Sequence, residues 1–257
     1  MAMDINRRKF LQIATLSLLA LAAKPAFDLL ARPDIARALG LRPENRKRLA
    51  MVVNLKACTA DTGCTDCISA CHKVHNVPDI GSRKEEIKWI REASYDQAFP
   101  EQENKFVKEA IRDRNVLLLC NHCDNPPCVR VCPTQATWRR EDGIVMMDYH
   151  RCIGCRYCMA ACPYGSRSFN WRDPRPYIKD IDLNYPERTR GVVEKCNFCD
   201  ERLAEGKPPA CVEACKSGAL TFGEMMPGTD VYGLVSTNYT VRRKPELGTQ
   251  PQVYYLV

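Results

Sequence analysis

Cys120-Asn-His-Cys123-Asp-Asn-Pro-Pro-Cys128-Val-Arg-Val-Cys132-Pro133 and Cys152-Ile-Gly-Cys155-Arg-Tyr-Cys158-Met-Ala-Ala-Cys162-Pro163 are the stretches that decide the fold. The second has the spacing C-x2-C-x2-C-x3-C-P. In it three close thiolates hold three irons of a [4Fe–4S] cubane, and the fourth thiolate reaches to another cluster. A short loop can wrap only three irons, so the fourth iron takes its thiolate from elsewhere. The proline after that thiolate ends the freedom of the loop. The first stretch, C-x2-C-x4-C-x3-C-P, is the same device, and two such runs make one two-cluster module.

Working outward, two further groups flank this pair: Cys58, Cys64, Cys67 and Cys71 before it, and Cys196, Cys199, Cys211 and Cys215 after it. All sixteen cysteines therefore fall into four groups of four. In the first group Ala60 to Gly63 look like an inserted turn between Cys58 and Cys64. Cys58 is thus either a ligand, or its cluster has three cysteines or a different fourth ligand. The expected fold class is α+β, with two interleaved two-cluster modules, insertions, and an N-terminal hydrophobic helix. Disulfide frameworks do not repeat C-x2-C with a trailing C-x3-C four times. Structural zinc does not need the third close cysteine or the Cys-Pro. Covalent haem needs C-x-x-C-H, and Cys67-Ile-Ser-Ala-Cys71-His72 is one residue too long.

The formal net charge is +7. A cubane with four thiolates carries roughly −2, so four of them carry roughly −8. The basic surplus therefore reads as compensation for buried anionic clusters, with basic residues scattered around them, and not as a face for nucleic acid.

From the start of the chain, Asn6-Arg7-Arg8-Lys9-Phe10-Leu11 and the apolar stretch behind it read as a twin-arginine export signal over residues 1–31. Ala20-Leu21-Ala22 offers a cleavage site. Phe10 to Ala31, at about 1.5 Å per residue, approaches the roughly 30 Å hydrocarbon core, so retention as a membrane anchor is expected. A basic linker follows over 32–49. Residues 50–75 and 190–224 form an outer module, 115–189 an inner module, and 76–114 an insertion between them. Met51 to Leu55 and Ser217 to Phe222 read as strands, and Phe106 to Ile111 as helical. Ile87, Trp89 and Ile90 fit strand or helix. Asp142-Gly143 between apolar runs predicts a hairpin that brings two cluster loops together, with Met146 and Met147 as packing residues. Lys207-Pro208-Pro209 marks an exposed loop. The apolar end of 225–257, Tyr254-Tyr255-Leu256, is expected to dock on a surface. His72 and His75 carry no assignment, and Asn238-Tyr239-Thr240 is a chance-level glycosylation pattern.

The strings CNHCDNPPCVRVCPTQATW, CIGCRYCMAACPYG and KCNFCDERLAEGKPPACVEAC resemble the four-cluster ferredoxin subunits of the DMSO/polysulfide reductase superfamily. That group includes the electron-transfer subunits of dimethylsulfoxide, polysulfide and tetrathionate reductases. The leader, ACHKVHNVP and IKWIRE look most like the periplasmic O subunit, DsrO, of the Dsr membrane complex of sulfur metabolism. The resemblance covers roughly residues 50 to 257 and implies a pairing that crosses the chain. Cys58, Cys64, Cys67 and Cys215 would hold one cluster, and Cys71, Cys196, Cys199 and Cys211 another. Cys120, Cys123, Cys128 and Cys162 would hold a third, and Cys132, Cys152, Cys155 and Cys158 the fourth. The sequence departs from the pattern at Cys58 and in lacking proline after Cys71 and Cys215.

The function so implied is an electron wire of four [4Fe–4S] clusters on the outer, periplasmic face of the cytoplasmic membrane. Its expected partners are a quinone-binding integral membrane subunit of polysulfide-reductase type and a multihaem cytochrome c. No Ser-His-Asp, paired-carboxylate or nucleotide-binding constellation appears, so no substrate site of its own is expected. The alternatives are the beta subunit of a molybdopterin oxidoreductase, which would co-purify with molybdenum, and a zinc-stapled structural protein, colourless near 400 nm.

Overall fold

A computed structural model describes residues 47–58, 60–102, 106 and 108–257. The expected export signal with Arg7 and Arg8, its apolar helix, and the linker up to residue 46 lie outside the described residues. In chain order the elements are β1 (Leu49–Asn54), α1 (Asp66–Val74), β2 (Ile90–Ser94), α2 (Tyr95–Ala98), α3 (Glu109–Arg112), β3 (Asn115–Leu119), α4 (Pro127–Arg130), β4 (Thr137–Arg139) and β5 (Val145–Met147). They continue with α5 (Tyr157–Ala160), β6 (Ser168–Phe169), β7 (Val193–Glu194), α6 (Asp200–Ala204), α7 (Ala210–Glu213), β8 (Leu220–Glu224), α8 (Asp230–Thr237), β9 (Thr240–Val241) and β10 (Val253–Leu256). Among the described residues no helix is long and apolar enough to cross a membrane.

Met51, Val52 and Val53 follow one another without polar alternation because β1 is covered on both faces. It lies inside a sheet of order β8-β1-β10-β9, antiparallel to β8 and parallel to β10. Met51 and Val53 face a core containing Trp89, Phe99 and Tyr255, while Ala50 and Val52 pack with Val231 of α8. Each apolar side chain buried this way contributes about 1.5–3 kcal/mol. The C-terminal segment, expected to dock on a surface, enters the fold itself as β10. Tyr255 has no solvent exposure, and its hydroxyl donates to the Leu117 carbonyl of β3 at 3.1 Å.

The cysteine-free stretch between the first two groups is woven into this core. β2 pairs antiparallel with β3, Ile90 opposite Leu119. Ile87 and Trp89 are buried just ahead of that strand, and Phe99 follows α2 into the core. The helix expected from Phe106 is shorter: α3 begins at Glu109, and Phe106 stands in solvent. The hairpin expected at Asp142-Gly143 is present, with β4 and β5 pairing Thr137 to Met147 and Arg139 to Val145. Gly143 has φ +92, a conformation glycine adopts without strain. The strand expected from Ser217 starts later, at Leu220. Gly218 (φ +65) closes a turn, its N–H donating to the Cys215 carbonyl.

Candidate metal centres

Regular elements deliver the cysteines. β3 runs straight into Cys120, and β7 leads through Lys195 to Cys196. α4 carries Cys128, α5 carries Cys158, and these two short helices pack on each other. α1 carries Cys67 and Cys71 one turn apart and packs on α7, which carries Cys211. None of the sixteen cysteines is in a disulfide.

Three groups share one loop design. The third residue of the C-x-x-C stretch is left-handed at His122 (φ +40), Gly154 (φ +68) and Phe198 (φ +60). The third residue after the last cysteine is left-handed again at Gln135, Gly165 and Gly218, and each sends its N–H to the carbonyl of that cysteine. A non-glycine residue in this region costs about 1–2 kcal/mol. At His122 and Phe198 packing offsets it, because the two rings stack at 3.6 Å and 17°. The Val145 N–H donates to His122 Nδ1 at 3.0 Å, so the ring proton sits on Nε2.

The thiols lie close enough to act on one another. Burial and the charges of Cys215 and Cys64 push the Cys58 thiol up, and burial with Cys215 and Cys58 pushes Cys67 up to about 12. Cys71 is fully buried among Cys196, Cys211 and Cys199, and burial drives its pKa well above the ordinary value. Cys120, Cys123, Cys128 and Cys162 bound a single cavity together with Pro126, Pro127 and Pro163. Burial, then the charge of Cys120, raises both Cys123 and Cys162. Cys158 has Cys152 and Cys128 as neighbours. At Cys132 burial works upward, but hydrogen bonds from Thr137, Thr134 and Ala136 outweigh it and hold the thiol down. Cys155 is half-buried in the loop before α5. The groups also influence one another: the charge of Cys67 raises Cys71 and Cys211, that of Cys120 raises Cys196, and that of Cys128 raises Cys158.

Clustered thiols that raise one another's pKa need a cation among them to ionise, and iron supplies it. The surrounding donors suit that use. Arg167 Nη2 donates to Cys128 Sγ at 3.1 Å, Phe198 N–H faces Cys196 Sγ at 3.5 Å, and Ala210 N–H faces Cys199 Sγ at 3.4 Å. The hydroxyls of Thr134 and Ser217 lie 3.7 and 3.6 Å from Cys132 Sγ and Cys215 Sγ. Such donors to cluster sulfur orient the ligands and set potential.

Sequence reasoning passed over the polar residues packed between these groups. Arg167 and Lys195 are buried beside the thiols, which is the scattered positive charge expected of an anionic cofactor. His75, left unassigned above, is buried with Nδ1 2.8 Å from the Cys71 carbonyl and Nε2 2.9 Å from Glu201. Its place four residues after Cys71, the helical return distance, was the available signal. Behind it, Arg188 and Glu194 form a fully buried ion pair at 2.6 Å, and Trp89 Nε1 donates to the same carboxylate at 2.9 Å.

A 4Fe-4S dicluster domain is matched over residues 116–175 and again over 176–225. The chain is 43% identical to the Hdr-like menaquinol oxidoreductase iron-sulfur subunit 1 of Archaeoglobus fulgidus, covering 82% of this chain and 83% of that protein. It is 37% identical to the iron-sulfur cluster-binding subunit of menaquinone reductase from Nitratidesulfovibrio vulgaris, over 83% and 90%. With a subunit of the tetrathionate reductase of Salmonella typhimurium it shares 38% over 82% and 73%. Two dicluster domains and sixteen cysteines correspond to four [4Fe–4S] clusters. The chain belongs to the family of four-cluster ferredoxin subunits that includes the iron-sulfur proteins of these Hdr-like menaquinol, menaquinone and tetrathionate oxidoreductases.

Proposed function

We propose that the chain is the electron-transfer subunit of a membrane-bound quinol or menaquinone oxidoreductase complex. The observation that carries this is the series of thiol neighbours running through the whole fold. In this reading Cys58, Cys64, Cys67 and Cys215 hold the first cluster, and Cys71, Cys196, Cys199 and Cys211 the next. Cys120, Cys123, Cys128 and Cys162 hold the third, and Cys132, Cys152, Cys155 and Cys158 the last. Each cubane supplies one-electron storage. The chain's own residues supply spacing, water exclusion and the hydrogen bonds described above.

Burial supports the order. In the two terminal sets only Cys67 and Cys158 are buried, and the other thiols are half-buried. In the two inner sets all but Cys162 are buried. Electrons thus enter and leave at the accessible ends while the middle stays dry. Ile153 and Tyr157, exposed on either side of Cys155, offer a partner an apolar contact at one such end.

The finer assignment is to the O subunit of a Dsr-type complex in dissimilatory sulfur metabolism. The chain would be exported through Arg7 and Arg8, held at the periplasmic face by its first helix, and placed between a multihaem cytochrome c and a quinone-binding membrane subunit. The leader motif and the similarity to menaquinol and menaquinone oxidoreductase subunits support it. The likeness to the tetrathionate reductase protein supports a second reading, the beta subunit of a molybdopterin oxidoreductase, which molybdenum in the purified complex would establish. Substituting Cys155→Ser tests the wire itself. Quinone-linked electron transfer in the purified complex is expected to fall at least tenfold, and unchanged transfer would refute the reading.

A further inference from the structure

We propose that His75 sets the reduction potential of the cluster assigned to Cys71, Cys196, Cys199 and Cys211, as a positioning residue that donates towards its thiolates. The inference rests on the ligand assignment above. His75 Nδ1 lies 2.8 Å from the Cys71 carbonyl oxygen and 3.6 Å from Cys71 Sγ, so one N–H is shared between backbone and sulfur. The Cys199 sulfur, His75 and Glu201 donor atoms all lie within 4.8 Å of one another. The ring therefore borders two thiols of the same set.

The ring is held in place from every side. Nε2 faces the Glu201 carboxylate at 2.9 Å, and Asn197 Nδ2, from the C-x-x-C loop itself, donates to the other Glu201 oxygen at 2.9 Å. Trp89 stacks on the ring at 4.4 Å and 26°, and Tyr185 meets it edge-on at 4.9 Å. Arg188 fixes the backbone beneath it, donating to the carbonyls of His75 and Asn76. A carbonyl oxygen only accepts, so Nδ1 carries the N–H that faces Cys71, and Glu201 holds the ring from Nε2. A donor beside a thiolate favours the more negative, reduced cluster and raises its potential. Burial of the ring at 1% exposure removes the water that would otherwise dilute the effect.

A purely structural role is also available, since the His75 N–H closes α1 on the Cys71 carbonyl at 3.1 Å. That role uses the backbone, so changing the ring separates the two. The test is an EPR-monitored redox titration of the anaerobically purified complex carrying wild-type, H75F, H75Q or E201Q protein. In H75F one of four centres should move to lower potential by at least a tenfold change in its oxidised-to-reduced ratio, which is about 59 mV for one electron. The other three should stay in place. H75Q, which keeps a donor, should recover part of the shift. E201Q should move the same centre in the same direction by less. If H75F loses iron, E201Q decides alone. Wild-type titration of all four centres in both H75F and E201Q, or a shift spread over all four, would overturn the proposal. Fewer than four centres in the wild-type protein would instead overturn the ligand assignment beneath it.

Discussion

In the groups that begin at Cys120, Cys152 and Cys196, the chain turns left-handed inside the C-x-x-C stretch and again three residues after the last cysteine. In the group that begins at Cys58 the first turn is kept, at Gly63 (φ +82) just before Cys64, and the second does not occur. The place taken elsewhere by His122, Gly154 and Phe198 falls to Gly63, and α1, which starts at Asp66, runs on past Cys71 to Val74. The second left-handed residue comes only at Asn76, whose side chain is tied to the backbone of Asp182 and Tyr185. All four groups carry the third cysteine on a helix, but in three of them that helix ends before the fourth cysteine, which stands in a loop. In the remaining, helical group α1 runs through the fourth cysteine, so the N–H groups that follow Cys71 are already used along the axis. Cys71 therefore draws a donor from a side chain, and His75 stands at the C-cap of that helix. The missing proline after Cys71 and after Cys215 therefore means different things. At Cys215 the Lys216-Ser217-Gly218 turn keeps the loop design, and at Cys71 the design itself has changed.

The largest predicted effect breaks the support under the helical group. Arg188→Met leaves Glu194 buried without its partner, at a cost of about 3–5 kcal/mol, since both side chains have zero exposure. Denaturant unfolding of the anaerobic protein measures it. A loss below 1 kcal/mol would mean that the network does not hold the end of α1. Next, Gly154→Ala strikes a loop group. Its Cβ would stand 2.4 Å from the Gly191 carbonyl oxygen, at φ +68. Strain and overpacking together give about 2–4 kcal/mol, visible as lower unfolding midpoint and lower iron content. The smallest effect comes from Gly165→Ala and Gly218→Ala, where a Cβ meets nothing within 4 Å. Only the conformational cost remains, about 1–2 kcal/mol each. Near-equal losses at the two positions would sharpen the view that proline after the cysteine is dispensable where the turn survives. A neutral Gly218→Ala with a costly Gly165→Ala would break it.

Much of this was legible in the sequence because cluster spacing is a local property. A run such as Cys152 to Cys162 constrains its own loop, and Asp142-Gly143 constrains its own hairpin. What stayed hidden depends on contacts far along the chain. Trp89 and Ile90 could not be assigned to strand or helix because their partners, Glu194 and Leu119, lie across the fold. Tyr255 read as a docking residue because nothing nearby shows that β10 slots beside β1. His75 was passed over because a lone histidine gains meaning only from Glu201, more than a hundred residues later. The Cys58 anomaly was visible, but its form was not: Ala60–Thr62 make a single 3-10 turn, closed by the Gly63 N–H on the Ala60 carbonyl at 2.9 Å.

The most direct measurement is iron and acid-labile sulfide analysis of the anaerobically purified complex, with EPR during stepwise reduction. The account predicts about sixteen irons and four distinct reducible centres. A three-iron signal in the oxidised protein, or about twelve to fifteen irons, would contradict ligation by Cys58. Zinc without iron would contradict the electron wire altogether.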